Sequence, residues 1–148
     1  LTPWSRWVTP KMPSISSKRF DTRFFVAALP ADQIASHDNV ETTESVWLPP
    51  RTALEQYWNR EIQLAPPQIM TLAHLSHHGT VASALAAARS TQPPTIAPEP
   101  FDDQGERVLC YPGDPCHSIS TRAMPGTTRL RFRNKRFEPE DGFVGLFA

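Results

Sequence analysis

WSRWVTP at 4–10 and KRFDTRFFVAALP at 18–30 decide how the rest of this chain is read. In the second stretch Phe20, Thr22, Phe24 and Val26 alternate with Asp21, Arg23, Phe25 and Ala27. A period of two places the first set on one face of a strand and the second on the other. Phe, Val and Thr suit a pleated, half-buried surface. Pro30 closes the run, because proline has no N–H to give a ladder. The first stretch reads as a shorter strand running into a proline-marked turn, and a polar loop, KMPSISSK at 11–18, joins the two.

Downstream, 31–43 is polar and reads as a mobile connection, and ESVWL at 44–48 reads as a second short strand closed by Pro49-Pro50. In RTALEQYWNREIQL at 51–64, Thr52 and Glu55 have the spacing of a capping box. Leu54, Tyr57 and Trp58 then share one helical face. Pro67 suits the first turn of another helix, which carries Ile69, Met70, Leu72, Ala73 and Leu75. Gly79 breaks that helix, and the alanine-rich VASALAAAR continues as a third. Four prolines in STQPPTIAPEPFDDQ argue for a linker at 90–106. RVLCY at 107–111 reads as a strand, and PGDP at 112–115 has Pro and Gly suited to the central positions of a type II turn. TTRLRFRNKRF at 127–137 alternates, which predicts one strand with a basic face, and FVGLF near the C-terminus predicts another. Strands, then helices, then strands describe an α+β fold.

The chain has 148 residues, enough for one domain. Its 16 prolines are about twice the usual share and cut it into short elements. Fifteen basic residues balance 15 acidic ones, so there is no global pull toward nucleic acid or anionic membranes. No run of about 18 apolar residues is present for a spanning helix. Two cysteines form no disulfide framework, which makes a reduced, intracellular compartment the expectation.

The segments WSRWVTP, KRFDTRFFVAALP, ESVWLPPRTALE, LAPPQIMTLAHL and RVLCYPGDPCH, in this order, resemble the half of coenzyme A diphosphatase-like Nudix hydrolases that follows the catalytic helix. The resemblance implies a partial Nudix-like mixed sheet with flanking helices, completed by a partner chain or a missing N-terminal half. It divides the chain into post-box strands and helices at 1–89, the linker at 90–106 and C-terminal strands at 107–148 completing the same domain. It also implies cleavage of a nucleoside diphosphate linked to another group, with coenzyme A or a related compound as substrate. In the parent family a helix carries Gly, Glu, Arg-Glu and Glu-Glu, whose carboxylates hold Mg²⁺ or Mn²⁺. That arrangement is absent here. ALEQYWNREIQL at 53–64 has Arg60-Glu61 without a following Glu pair, and EPFDDQGERV at 99–108 has acids without a helical register. No metal ligand and no metal cofactor are therefore expected in this chain alone, which is expected to be inactive by itself. The first residue, Leu1, fits a truncated or processed product.

What the resemblance carries over is limited to pocket walls. Arg19 and Arg23 are implied as binders of a diphosphate through charge-assisted bonds. Glu44 is implied as an accessory base. Trp4 and Trp7 are candidates for stacking an adenine ring, set against packing of the sheet or of the missing half. The alternative to a hydrolase half is a catalytically inactive Nudix-like module that binds or assembles within a larger complex. Either way a sheet of only these strands leaves an edge and an apolar face, which predicts self-association or a second protein chain.

Three other clusters carry chemistry-bearing residues. His74 and His78 are four residues apart, as helical metal ligands are, yet lack a third ligand and read as exposed helix residues. Cys110, Cys116 and His117 flank the PGDP turn, as two thiols, a reversible disulfide or part of a metal site. The run Arg129, Arg131, Arg133, Lys135 and Arg136 reads either as a phosphate-binding face or as a solvated, guarded strand, with Asp102, Asp103, Glu138, Glu140 and Asp141 available as partners.

Overall fold

The computed structural model describes residues 1–10, 18–37, 40 and 44–148. The loop expected at 11–17, and the parts of the connection expected at 38–39 and 41–43, lie outside the described residues. The two opening stretches form β1 (Thr2–Val8) and β2 (Asp21–Val26), paired antiparallel with a bulge between Pro3 and Ser5. Phe24 and Val26 on the predicted inner face are half-buried, and Phe25 on the other face is exposed.

Three helices follow. α1 (Pro50–Trp58) starts two residues before the predicted cap. Pro49 and Pro50 set its entry, since a first-turn proline forfeits only an N–H that the helix leaves unused. Thr52 therefore makes no cap, and Glu55 instead meets Arg51 Nε at 3.4 Å, one turn away. α2 (Pro66–Leu75) again has prolines in its first turn, and Gln68 Oε1 accepts the Ala65 N–H at 2.8 Å. α3 (Val81–Ser90) follows Gly79 and is capped by Thr80, whose Oγ1 accepts the Ser83 N–H at 3.1 Å.

The supposed linker at 90–106 is a correction. It holds β3 (Thr95–Ile96), which runs parallel to β1, and β4 (Glu99–Asp103), which pairs with β5 (Glu106–Cys110). Proline is tolerated there because β4 is an edge strand and has only one neighbour to satisfy. The predicted strand at 127–137 is a hairpin of β6 (Arg129–Arg133) and β7 (Arg136–Glu138). Asn134 and Lys135 both take positive φ, 52° and 63°, as a two-residue hairpin turn with right-handed twist demands. Two further strand predictions fail. Residues 44–48 are irregular, with Trp47 exposed, and Phe143–Phe147 is a 3₁₀ helix whose Leu146 is fully buried. The PGDP turn is as read: Asp114 N–H donates to Tyr111 O at 3.0 Å, and Gly113 has φ +97° at the position a type II turn reserves for glycine.

One mixed sheet, β2-β1-β3, and one antiparallel sheet, β4-β5-β6-β7, thus share the chain with the helices, an α+β architecture. A single apolar cluster joins them: Trp7 and Ile96 from the first sheet, Leu109 and Leu130 from the second, Leu54, Tyr57, Ile69, Met70 and Ala73 from α1 and α2, and Leu146. Leu54 and Ile69 are wholly buried, each contributing about 2–3 kcal/mol. β2 has no strand on its outer side among the described residues. No helix is long and apolar enough to cross a membrane among those residues.

Candidate functional site

The small sheet and the helix behind it carry the residues singled out from the sequence, but they do not converge on one point. Trp4 is buried at 5% exposure, its ring 4.5 Å from His74 and 5.7 Å from His78. Trp7, at 3%, meets Tyr111 edge-on at 5.8 Å, and its Nε1–H donates to Ser5 Oγ at 3.1 Å. Both rings therefore serve packing. Each still borders a cavity, Trp4 one of about 400 Å³ with His74, His78 and Arg122, and Trp7 an apolar one of about 360 Å³ with Phe20, Pro66 and Phe137. Arg23 is exposed on β2, opposite Arg6, and borders a third cavity of about 260 Å³. Arg19 is exposed, and its Nε donates to Thr9 O at 3.3 Å. Glu44 is exposed in the irregular stretch before α1.

The histidine pair is where sequence reading fell short. His74 and His78 are half-buried against Trp4 rather than exposed, and only His77 faces solvent. Burial pushes the His74 imidazole down to about 4, and the neighbouring His78 and His77 push the same way. A neutral imidazole beside an indole, bordering a cavity, is a strongly perturbed titratable group next to the small sheet. The i, i+4 spacing was the available signal. What it lacked was the strand of two tryptophans that covers it.

Of the two readings of the basic run, a phosphate-binding face or a solvated, guarded strand, the structure shows several of its arginines paired with acids. Arg129 binds Asp114 through Nε and Nη2, both at 2.7 Å. Asp114 also accepts Thr128 Oγ1–H and Cys116 N–H at 2.8 Å. Burial alone would raise the Asp114 carboxyl, but the Arg129, Cys116 and Thr128 bonds outweigh it and hold it below the usual range. Arg131 is buried and lies 2.7 Å from both Asp103 and Glu140. Arg136 meets Glu138 at 2.6 Å. Of the acids foreseen as partners Asp103, Glu138 and Glu140 serve as such, whereas Asp102 takes Arg107 instead and Asp141 makes no ion pair with the run among the described residues. Cys110 is buried and Cys116 exposed, and both are free thiols. Burial pushes the Cys110 thiol up to about 11, with Asp114 and Glu99 adding to it.

Among the described residues no three His, Cys, Asp or Glu side chains converge as a group able to hold a metal ion. The carboxylates near one another are held in pairs by arginine, the opposite of a cluster whose repulsion a divalent cation relieves.

Comparison with known proteins bears on these positions. Acyl-coenzyme A diphosphatase NUDT19 of Xenopus laevis is 40% identical over 82 residues, covering 55% of this chain and 22% of that protein. The proteins of the same name in Gallus gallus and Homo sapiens are 34% and 32% identical over 83 and 78 residues. The matched part thus spans about a fifth of the curated relatives' length, 22% in the first two and 20% in the third. No solved structure gives a significant match. The family model described as the NUDT19 Nudix domain matches residues 1–75, which takes in β1, β2, α1 and α2, and the chain belongs to that Nudix family.

Proposed function

We infer that this chain is the part of a Nudix hydrolase that follows the metal-binding helix, and that it supplies pocket walls for a nucleoside-diphosphate-linked substrate of the coenzyme A class. The observation that carries the reading is a combination. Half of the chain matches the family, while the carboxylate helix is absent from the sequence and no donor set fits a divalent cation among the described residues. The Mg²⁺ or Mn²⁺ of the parent family therefore does not fit the donor sets of the described residues. The names of the relatives support the acyl-coenzyme A class.

Under this reading β1 and β2 wall the substrate pocket, and Arg19 and Arg23, both exposed there, hold the diphosphate. Trp4 and Trp7 hold the sheet rigid behind them, and Glu44 stands as accessory base. The open side of β2 and the exposed Phe20 and Phe25 are covered by the polypeptide that brings the carboxylate helix. The reaction class would be cleavage of a phosphoanhydride by water.

The test is complementation. Purified 148-residue chain is assayed on an acyl-coenzyme A with Mg²⁺ or Mn²⁺, alone and mixed with the segment that precedes the matched region in the Xenopus laevis relative. The reading expects no turnover alone and chelator-sensitive turnover in the mixture. Turnover by the chain alone would overturn it. A stable complex without turnover would favour the alternative, an inactive Nudix-like module used for assembly.

A further inference from the structure

Another cleft, whose lining includes none of Arg19, Arg23 and Glu44, lies where the end of α1 meets the β6–β7 turn. It has a volume of about 300 Å³ and is bordered by Tyr57, Arg60, Phe132, Lys135, Arg136 and Phe137 among others, with no carboxylate in its lining. That volume is at the lower end of small-molecule sites, about 300–1,000 Å³. Arg136 is already neutralised by Glu138 and donates to the Trp58 and Tyr57 carbonyls. Arg60 meets no acid among the described residues: its Nη2 donates to Asn134 O at 3.1 Å. Lys135 has no ion-pair partner among the described residues.

Backbone conformation gives an independent observation at the same two residues. α1 ends with Glu61 N–H on Gln56 O and Arg60 N–H on Tyr57 O, the paired bonds of a Schellman motif. That motif wants glycine where Arg60 sits with φ +66°. The β6–β7 turn likewise favours glycine where Lys135 sits with φ +63°. The fold therefore holds two cations in left-handed conformations that a glycine would adopt without strain, and both border one cleft. Strain retained at such positions is a pointer toward function. Beside them the Phe132 ring is 45% exposed, although its neighbour Leu130 is wholly buried. It lies 5.1 Å from Phe137.

We propose that this cleft binds a small phosphorylated ligand with a planar aromatic group, of nucleoside monophosphate size. Arg60 and Lys135 take the phosphate through charge-assisted hydrogen bonds, and Phe132 stacks the base. The proposal stands apart from the hydrolase reading, because Arg60, Lys135 and Phe132 belong to none of the pocket walls assigned above, although Phe137 also borders the cavity beside Trp7.

Isothermal titration of the 148-residue chain with adenosine 5′-monophosphate, adenosine and inorganic phosphate tests it. The monophosphate is expected to bind about tenfold more tightly than either fragment. Lys135→Gly and Arg60→Gly are each expected to weaken it about tenfold while leaving urea stability unchanged or higher, since glycine relieves the backbone. Phe132→Ala is expected to weaken the monophosphate and leave inorganic phosphate unaffected. If Arg60→Gly fails to fold through loss of its bond to Asn134, Lys135→Gly decides alone. Absence of monophosphate binding at millimolar concentration, binding unchanged in Lys135→Gly, or adenosine binding as tightly as its phosphate would overturn the proposal.

Discussion

Asp114→Ala is the substitution whose effect the structure fixes best. The Asp114 side chain has no exposed surface and accepts two bonds from Arg129, one from Thr128 and one from Cys116 N–H. Removing it strands a guanidinium whose side chain is only 21% exposed. Breaking a buried pair from one side costs about 3–5 kcal/mol. Glu140, 3.7 Å from Arg129 Nη1, keeps part of the charge balanced, which sets the expectation at the low end, about 3 kcal/mol. For a chain of this size that is a fall in Tm of roughly 6–12 °C. Urea unfolding followed by far-ultraviolet circular dichroism at pH 7 measures it, beside Arg129→Met and the double variant. The double variant should lose less than the sum, because no charge is then left unpaired. The folded Asp114 carboxyl lies below its unfolded value of about 3.9, so its contribution is present above that pH and disappears as pH falls through the folded value. Asp114→Ala should flatten that acid limb. A loss under about 1 kcal/mol, or strict additivity with Arg129→Met, would refute the claim that this pair anchors the 111–119 turn to β6.

Other outcomes follow from single residues. His74, held down to about 4 chiefly by burial, binds fewer protons folded than unfolded below pH 6.5, so stability should fall between about pH 6.5 and 4; His74→Phe should remove that slope in urea titrations run at pH 7 and 5. A Cβ on Gly113 would sit 2.4 Å from Arg122 Cγ and 2.9 Å from its Cα at φ +97°, and Gly113→Ala should cost about 2–3 kcal/mol by thermal melt. A chromogenic disulfide reagent should titrate the exposed Cys116 quickly and the buried Cys110, pushed up to about 11, only on unfolding.

The sequence was legible wherever period and burial coincide. Phe24 and Val26, Leu54 with Tyr57, and Ile69 with Ala73 all fall on the faces their spacing gives, because each element buries one side only. It misled where tertiary context overrode a local signal. Pro100 suggested a linker, yet an edge strand tolerates proline. Asn134-Lys135 hid a hairpin, because lysine occupies the place where glycine would have announced one. ESVWL has strand-like composition but pairs with no strand among the described residues, and FVGLF coils with Leu146 buried in the core. Site residues were less legible still. Arg129, Arg131 and Arg136 look alike in sequence to Arg60 and Lys135, and only the fold shows which are neutralised by carboxylates.

The central claim is that this chain has the walls of a Nudix pocket without its metal ligands. Titration of Mn²⁺ into the purified chain, with free ion followed by electron paramagnetic resonance, addresses it most directly. The signal should grow in proportion to added Mn²⁺ for the chain alone, and one equivalent should be sequestered once the segment that precedes the matched region in the Xenopus laevis relative is added. Stoichiometric, micromolar capture of Mn²⁺ by the 148-residue chain alone would contradict the account.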